Sequence, residues 1–265
     1  MKKRVFTLAN AILVEPSDDY QGLGSITIED GIIVSINGSS RGKEINCNGA
    51  FLAPGIIDMG VKICEPGERH KESFRSAGAS AAAGGVTTIV TRPDTNPPID
   101  TPEMLEFFIR RANAATKTKI LPMAALTKNL ACKEITEMAF LHDRGAIAFS
   151  NGLTQVSNAK VFLNALKYAS DLNLLIVGHP QDLMLSRNSS ATSGNFAIIR
   201  GIPGVSTVAE KLGIDRDIEL VEHANVRYHA DQITTERSLE SIKNAKLRGL
   251  RITAGTSIHH LTLNE

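Results

Sequence analysis

In the segment APGIIDMGVKICEPGERHKE, residues 53–72, an apolar run stops at Asp58, and the alternate positions Gly60, Lys62 and Cys64 lead into a turn at Pro66-Gly67. Alternate residues of a strand point to one side. A metal-dependent hydrolase would place imidazoles or carboxylates there, and this chain places a hydrogen, an ammonium and a thiol. Polar residues also close other apolar runs: Arg92, Asp94 and Asn96; Asn151 and Gly152; His179, Gln181 and Asp182; His229, Asp231 and Gln232. His179 and His229 are isolated, with no second histidine at ligand spacing. Catalytic zinc takes three protein ligands and brings a bound water's pKa down to about 7. A lone imidazole does not hold the ion. Cys64 becomes a nucleophile only where its pKa falls below about 8.5, and no histidine base stands at a neighbouring run end.

The apolar runs that carry these residues are GIIDMGV, TTIVTRP, KILPMAAL, GAIAFS, NLLIVGHP, VRYHADQI and LRITAGTSI. Between them lie segments of helical spacing: Met104, Phe107, Phe108 and Ile109; Val161, Leu163, Leu166 and Ala169; Leu239, Ile242, Ala245 and Leu247. Strand then helix, repeated, predicts an α/β fold with a parallel sheet and right-handed crossovers. Seven candidate strands fall one short of a TIM-type (β/α)8 barrel, so the barrel over residues 53–265 is expected to be incomplete. Residues 1–52 read as a partial β-sandwich, with Ile26, Ile28, Ile32, Val34 and Ile36 alternating around a hairpin turn at Asp30-Gly31. The Ser-, Gly- and Asn-rich segment 186–207 is expected to be a long βα loop at the barrel mouth, the end where barrel enzymes place their chemistry.

Lys+Arg of 29 against Asp+Glu of 28 gives a formal charge of +1, which supplies no field to attract nucleic acid or an anionic bilayer. Cys47, Cys64 and Cys132 are far apart and odd in number, which fits a reducing, cytoplasmic compartment without a disulfide framework. No apolar run approaches the ~18 residues of a membrane span, and the basic N-terminus lacks the pattern of a leader.

Six runs, PGIIDMGVKICEPGERHKE, AAAGGVTTIVTRPDTNPPIDT, AFSNGLTQVSNA, GHPQD, GIPGVSTVAEKLGIDRDIELVEH and IHHLTLNE, resemble in order and nearly in register the dihydroorotase family. These are cyclic-amide hydrolases of the amidohydrolase superfamily. The likeness spans essentially the whole chain. It implies a β-sandwich built from both chain ends, a (β/α)8 barrel, and a zinc site that opens or closes the dihydroorotate ring in pyrimidine biosynthesis. Carried over by position, it also implies a degenerate site. The family's His-x-His-x-Arg run falls on Gly60, Lys62 and Cys64, and its substrate asparagine on Asp94. Its Asp-Asp-Gly run falls on Asn151, Gly152 and Leu153, so the ligand aspartate becomes Gly152. One ligand histidine is kept as His179. The last falls on Gln232, while His229 keeps the first position of that His-x-x-His run. The catalytic aspartate of an eighth strand would follow Glu265.

The resemblance therefore implies no bound cofactor where the family has zinc. It implies a non-catalytic, oligomeric relative acting as a structural partner of aspartate transcarbamoylase. Two alternatives stand beside it. One is an active cyclic-amide hydrolase of altered site, using Cys64, His179 or a metal held by Asp94, Asp182 and His179. The other is a truncated, decaying product whose first and seventh strands have unpaired edges. Lys62 is either solvated or stands in for the lost metal by neutralising Asp58, Asp94 and Asp182.

Overall fold

The computed structural model describes residues 4–17 and 20–263. Its contacts divide into two compact units that part between Ile56 and Ile57. In the first unit β1 (Val5–Glu15) pairs antiparallel with β2 (Tyr20–Glu29). Asp30 and Gly31 then take φ of 50° and 85°, the left-handed pair that a two-residue hairpin turn requires. They return the chain as β3 (Ile32–Ile36), antiparallel to β2. On the other side of β1, β4 (Lys43–Asn46) and β5 (Phe51–Leu52) pair in parallel. The expected partial β-sandwich is one layer here: a single five-stranded sheet that leaves Ile32, Ile33, Val34 and Ile36 exposed.

The second unit alternates strand and helix. It starts with β6 (Ile56–Val61), α1 (Phe74–Ala83), β7 (Val86–Thr91), α2 (Pro102–Ala115) and β8 (Lys119–Ala125). There follow α3 (Met138–Asp143), β9 (Ala148–Ser150), α4 (Ala159–Asp171), β10 (Leu175–Gly178) and α5 (Leu183–Ser186). Helices start where a side chain can satisfy their free N–H groups: Ser73, Thr101 and Asn158 accept these bonds for α1, α2 and α4. The segment expected as one long loop is partly ordered, because β11 (Ala191–Thr192) and β12 (Gly204–Val205) form a short parallel ladder around α6 (Asn195–Arg200). The chain continues through α7 (Val208–Ala224), β13 (Arg227–Ala230), α8 (Glu236–Leu247), β14 (Ile252–Ala254) and α9 (Ile258–Thr262).

Seven strands form one sheet in the order β14-β13-β10-β9-β8-β7-β6, with β6 and β14 at its ends. All seven expected strands are present. In a flat sheet β7 and β13, four steps apart, would lie roughly 19 Å from one another. Yet Arg92, just after β7, meets Asp231, just after β13, at 2.7 Å. No pair of side chains of that length bridges such a gap, so the sheet is curled toward a barrel.

Helices pack outside it on alternating apolar positions. Leu105, Phe108 and Ala112 of α2 are buried while Phe107 is exposed, and Ile242 and Ala245 of α8 are buried while Leu239 and Leu247 are exposed. The buried stripes are thus narrower than the sequence spacing predicts. Among the described residues no helix is long and apolar enough to cross a membrane.

Candidate functional site

The C-terminal ends of the seven strands gather the residues singled out from the sequence, in two clusters. The first lies at β6 and β7. Gly60 is buried with φ of 80°, a backbone conformation that a side chain opposes. A Cβ built on Gly60 would stand 3.0 Å from Arg92 Nη2 and 3.3 Å from Asp231 Oδ2. Those two groups form a buried ion pair in which Arg92 Nη2 donates to Asp231 Oδ2 at 2.7 Å. Lys62 Nζ lies 3.4 Å from Asp94 Oδ2 and 3.7 Å from Glu68 Oε2, on a side chain that is 42% exposed. Of the carboxylates expected around Lys62, Asp94 is a partner. Asp182 instead caps α5, accepting from the N–H groups of Met184 at 2.9 Å and Leu185 at 3.0 Å, and Asp58 is exposed. Cys64 is a free, half-buried thiol.

Gly152, at φ of 65°, lets Asp94 approach: an added Cβ would stand 3.1 Å from Asp94 Cβ. Asn151 is occupied elsewhere, its Oδ1 accepting from the Thr127 N–H at 3.1 Å and its Nδ2 donating to Thr127 Oγ1 at 2.8 Å. Beneath this cluster Glu65 is buried. Its Oε1 accepts from Arg111 at 2.8 Å and its Oε2 from the Phe74 N–H at 3.0 Å. Burial pushes its carboxyl up, and the Arg111, Phe74 and Arg69 contacts outweigh that and hold it below the usual carboxylate range.

The second cluster lies at β10 and β13 and opens onto a cavity of about 570 Å³. His179, Gln181, Gln232 and Thr234 line it, with Ser190 and Thr192 from the 186–207 segment. His179 Nε2 lies 3.2 Å from Gln181 Oε1. His179 Nδ1 is buried without a protein partner among the described residues. Gln232 has φ of 58°. His229 faces away toward β14, its Nδ1 2.8 Å from Thr253 Oγ1. Burial lowers its pKa, against the opposing pull of Asp231.

Two buried acids are not apparent from the sequence, Glu210 in the lining of this cavity and Asp217 behind His179. Glu210 on α7 accepts from the N–H and hydroxyl of Thr234, at 2.9 and 2.6 Å, and from those of Thr235, at 2.9 and 2.7 Å. Burial pushes its carboxyl up, but the bonds from Thr234, Ser238 and Thr235 prevail and hold it low. Asp217 accepts from the Tyr228 hydroxyl at 2.6 Å and from Arg216 Nη2 at 2.6 Å. Its burial wins over both partners and raises its pKa.

The zinc of the family requires converging donors, and among the described residues no group of three His, Cys, Asp or Glu side chains could hold a metal ion. The site's first ligand position offers only a glycine, and its side-chain space belongs to Arg92 and Asp231. Asp94, Asp182 and His179 are not brought together as a substitute set. The donors present do not fit the metal.

Comparison with known proteins places these observations. The family described as "Dihydro-orotase-like" matches residues 49–238. A "Dihydroorotase-like protein" of Pseudomonas putida is 35% identical over 98% of the chain and 62% of its own length. A "Dihydroorotase" of Bacillus licheniformis is 35% identical over 88% of the chain and 54% of its own length. The chain thus spans about three fifths of the curated relatives it matches. The solved "L-Hydantoinase (Dihydropyrimidinase) from Arthrobacter aurescens" superimposes with a TM-score of 0.83 over 97% of the chain and 59% of its own. At 20% identity that match shows the barrel-type fold alone.

Proposed function

The chain belongs to the dihydroorotase-like family, and we propose that within it this protein is non-catalytic and acts in pyrimidine biosynthesis as a structural partner of aspartate transcarbamoylase. The observation that carries the first part is at Gly60. The place of the family's first metal histidine holds no donor atom, and the adjoining space is filled by a buried ion pair. Hydrolysis of an unactivated cyclic amide needs a hydroxide generated near neutral pH or an equivalent nucleophile with a positioned base. Among the described residues no hydrogen bond joins Cys64 to a histidine, and His179 Nε2 lies against Gln181 Oε1 at 3.2 Å. The partnership rests on the family resemblance alone.

Metal analysis of the purified protein together with a dihydroorotate hydrolysis assay tests the first part. The expected result is zinc far below one per chain and no turnover. Stoichiometric zinc that is required for turnover overturns it. Co-purification with aspartate transcarbamoylase, and higher activity of that enzyme in the complex, tests the second. A transferase fully active and fully assembled without this chain overturns it.

A further inference from the structure

We infer that the Arg92 guanidinium is a tethered replacement for the metal cation: it fills the space beside the first ligand position and, through Asp231, ties β7 to β13 across the curled sheet. This deepens the proposed non-catalytic reading and rests on the family correspondence for Gly60. Three observations converge. Arg92 and Asp231 are separated by 139 positions and meet at 2.7 Å with both side chains buried. The Gly60 Cα, with no side chain of its own, abuts that pair, so that even a methyl group would stand 3.0 Å from Arg92 Nη2. The other candidate cation, Lys62, is 42% exposed and no closer than 3.4 Å to a carboxylate, so it is screened by water.

A bound dication draws ligands from several strands to one point and neutralises acidic groups at the barrel mouth. A guanidinium does both in part: it is always charged, and its planar donors suit a buried carboxylate. The replacement also excludes what it replaced. An imidazole at residue 60 must enter the space Arg92 and Asp231 now hold, so the ancestral ligand and the ion pair cannot coexist without displacement.

The test is a set of thermal melts of the full chain in chelator, which read the ion pair whether or not the protein hydrolyses dihydroorotate or binds a transferase. Arg92→Met and Asp231→Asn are each expected to lower the melting temperature by about 10 °C, since each leaves one buried charge unpaired, and the double variant is expected to recover at least half of either loss. Arg92→Lys, which keeps the charge, is expected to lose less than Arg92→Met. Gly60→Ala measures the backbone cost at positive φ. Gly60→His is expected to melt well below Gly60→Ala in the native background and closer to it in an Arg92→Ala/Asp231→Ala background, which vacates that space. Should Arg92→Met alone give no cooperative melt, a cooperative transition regained in the double variant upholds the inference. Losses that simply add, no transition regained, or a Gly60→His deficit equal in both backgrounds overturn it.

Discussion

The two clusters at the strand ends are built in opposite ways. At β6 and β7 the mouth is filled with charge: Arg92 against Asp231, and Lys62 against Asp94 and Glu68. At β10 and β13 it is open, lined by hydroxyls, amides, His179 and the hydrogen-bonded carboxylate of Glu210. The two places differ in what fills them. Beside Gly60 the space is taken by the buried Arg92–Asp231 ion pair. Beside Gln232 an amide contributes to the wall of an open cavity.

Of the residues lining the open side, Glu210 is the one most heavily hydrogen-bonded. Its carboxylate gathers four hydrogen bonds from Thr234 and Thr235, fixing the start of α8 to α7. Removing it in Glu210→Ala strands those donors and is expected to cost about 3 kcal/mol, which lowers the melting temperature by about 6–12 °C. Amide exchange should rise at Thr234 and Thr235 and stay unchanged at Arg92. Equal loosening of both clusters would show that they are one cooperative unit and not two.

The closed side offers a smaller wedge. Gly152→Ala places a methyl group 3.1 Å from Asp94 Cβ at a backbone φ of 65°. The expected cost is about 2 kcal/mol, with Asp94 displaced from Lys62 while the cavity beside His179 keeps its shape. Chemical shifts of the His179 ring, unmoved in this variant and moved in Glu210→Ala, would confirm the division.

Acid should act on both sides in the same direction. Glu65 beneath the closed cluster and Glu210 beside the open one are both held below the usual carboxylate range in the fold. A carboxyl whose folded pKa is depressed stabilises the protein above its unfolded pKa of about 4.3, and that stability is lost as pH falls through the folded value. Melting temperature should therefore fall below about pH 4.5, and Glu65→Gln or Glu210→Gln should each flatten part of the slope. Asp217, raised by burial, works in the opposite sense: its contribution diminishes as pH rises past the unfolded value.

Much of this was legible in the chain and some was not, for definable reasons. The change of hydrophobic period after Pro54 marks all seven barrel strands, and Asp30-Gly31 marks the hairpin, because both signals are local. Arg92 and Asp231 are each visible as strand-end polar residues, but their pairing spans 139 positions and exists only once the sheet curls. Glu210 reads as one more acid on a charged helix, VAEKLGIDRDIE, and only the landing of Thr234 and Thr235 on it reveals a buried anchor. The motif leaves Lys62 either solvated or standing in for a metal; its exposure matches the first, and a buried cation is found at Arg92, a strand away.

That last contrast gives the smallest effect and the sharpest comparison. Lys62 and Arg92 are both cations at the same mouth, each within ion-pair distance of a carboxylate. They differ in the medium between the charges. The Lys62 ammonium is on a 42% exposed side chain, against 19% for Asp94, and a contact of 3.4 Å from a water-screened cation brings little after the entropy of holding the side chain. Lys62→Met is therefore expected to change stability by less than about 1 kcal/mol at low salt and by nothing measurable at about 1 M salt, where screening reaches within a few ångströms. The loss in Arg92→Met should persist at high salt, because buried charges are screened far less. If Lys62→Met were the costlier of the two and equally insensitive to salt, the cation that matters at this mouth would be the one the motif suggested.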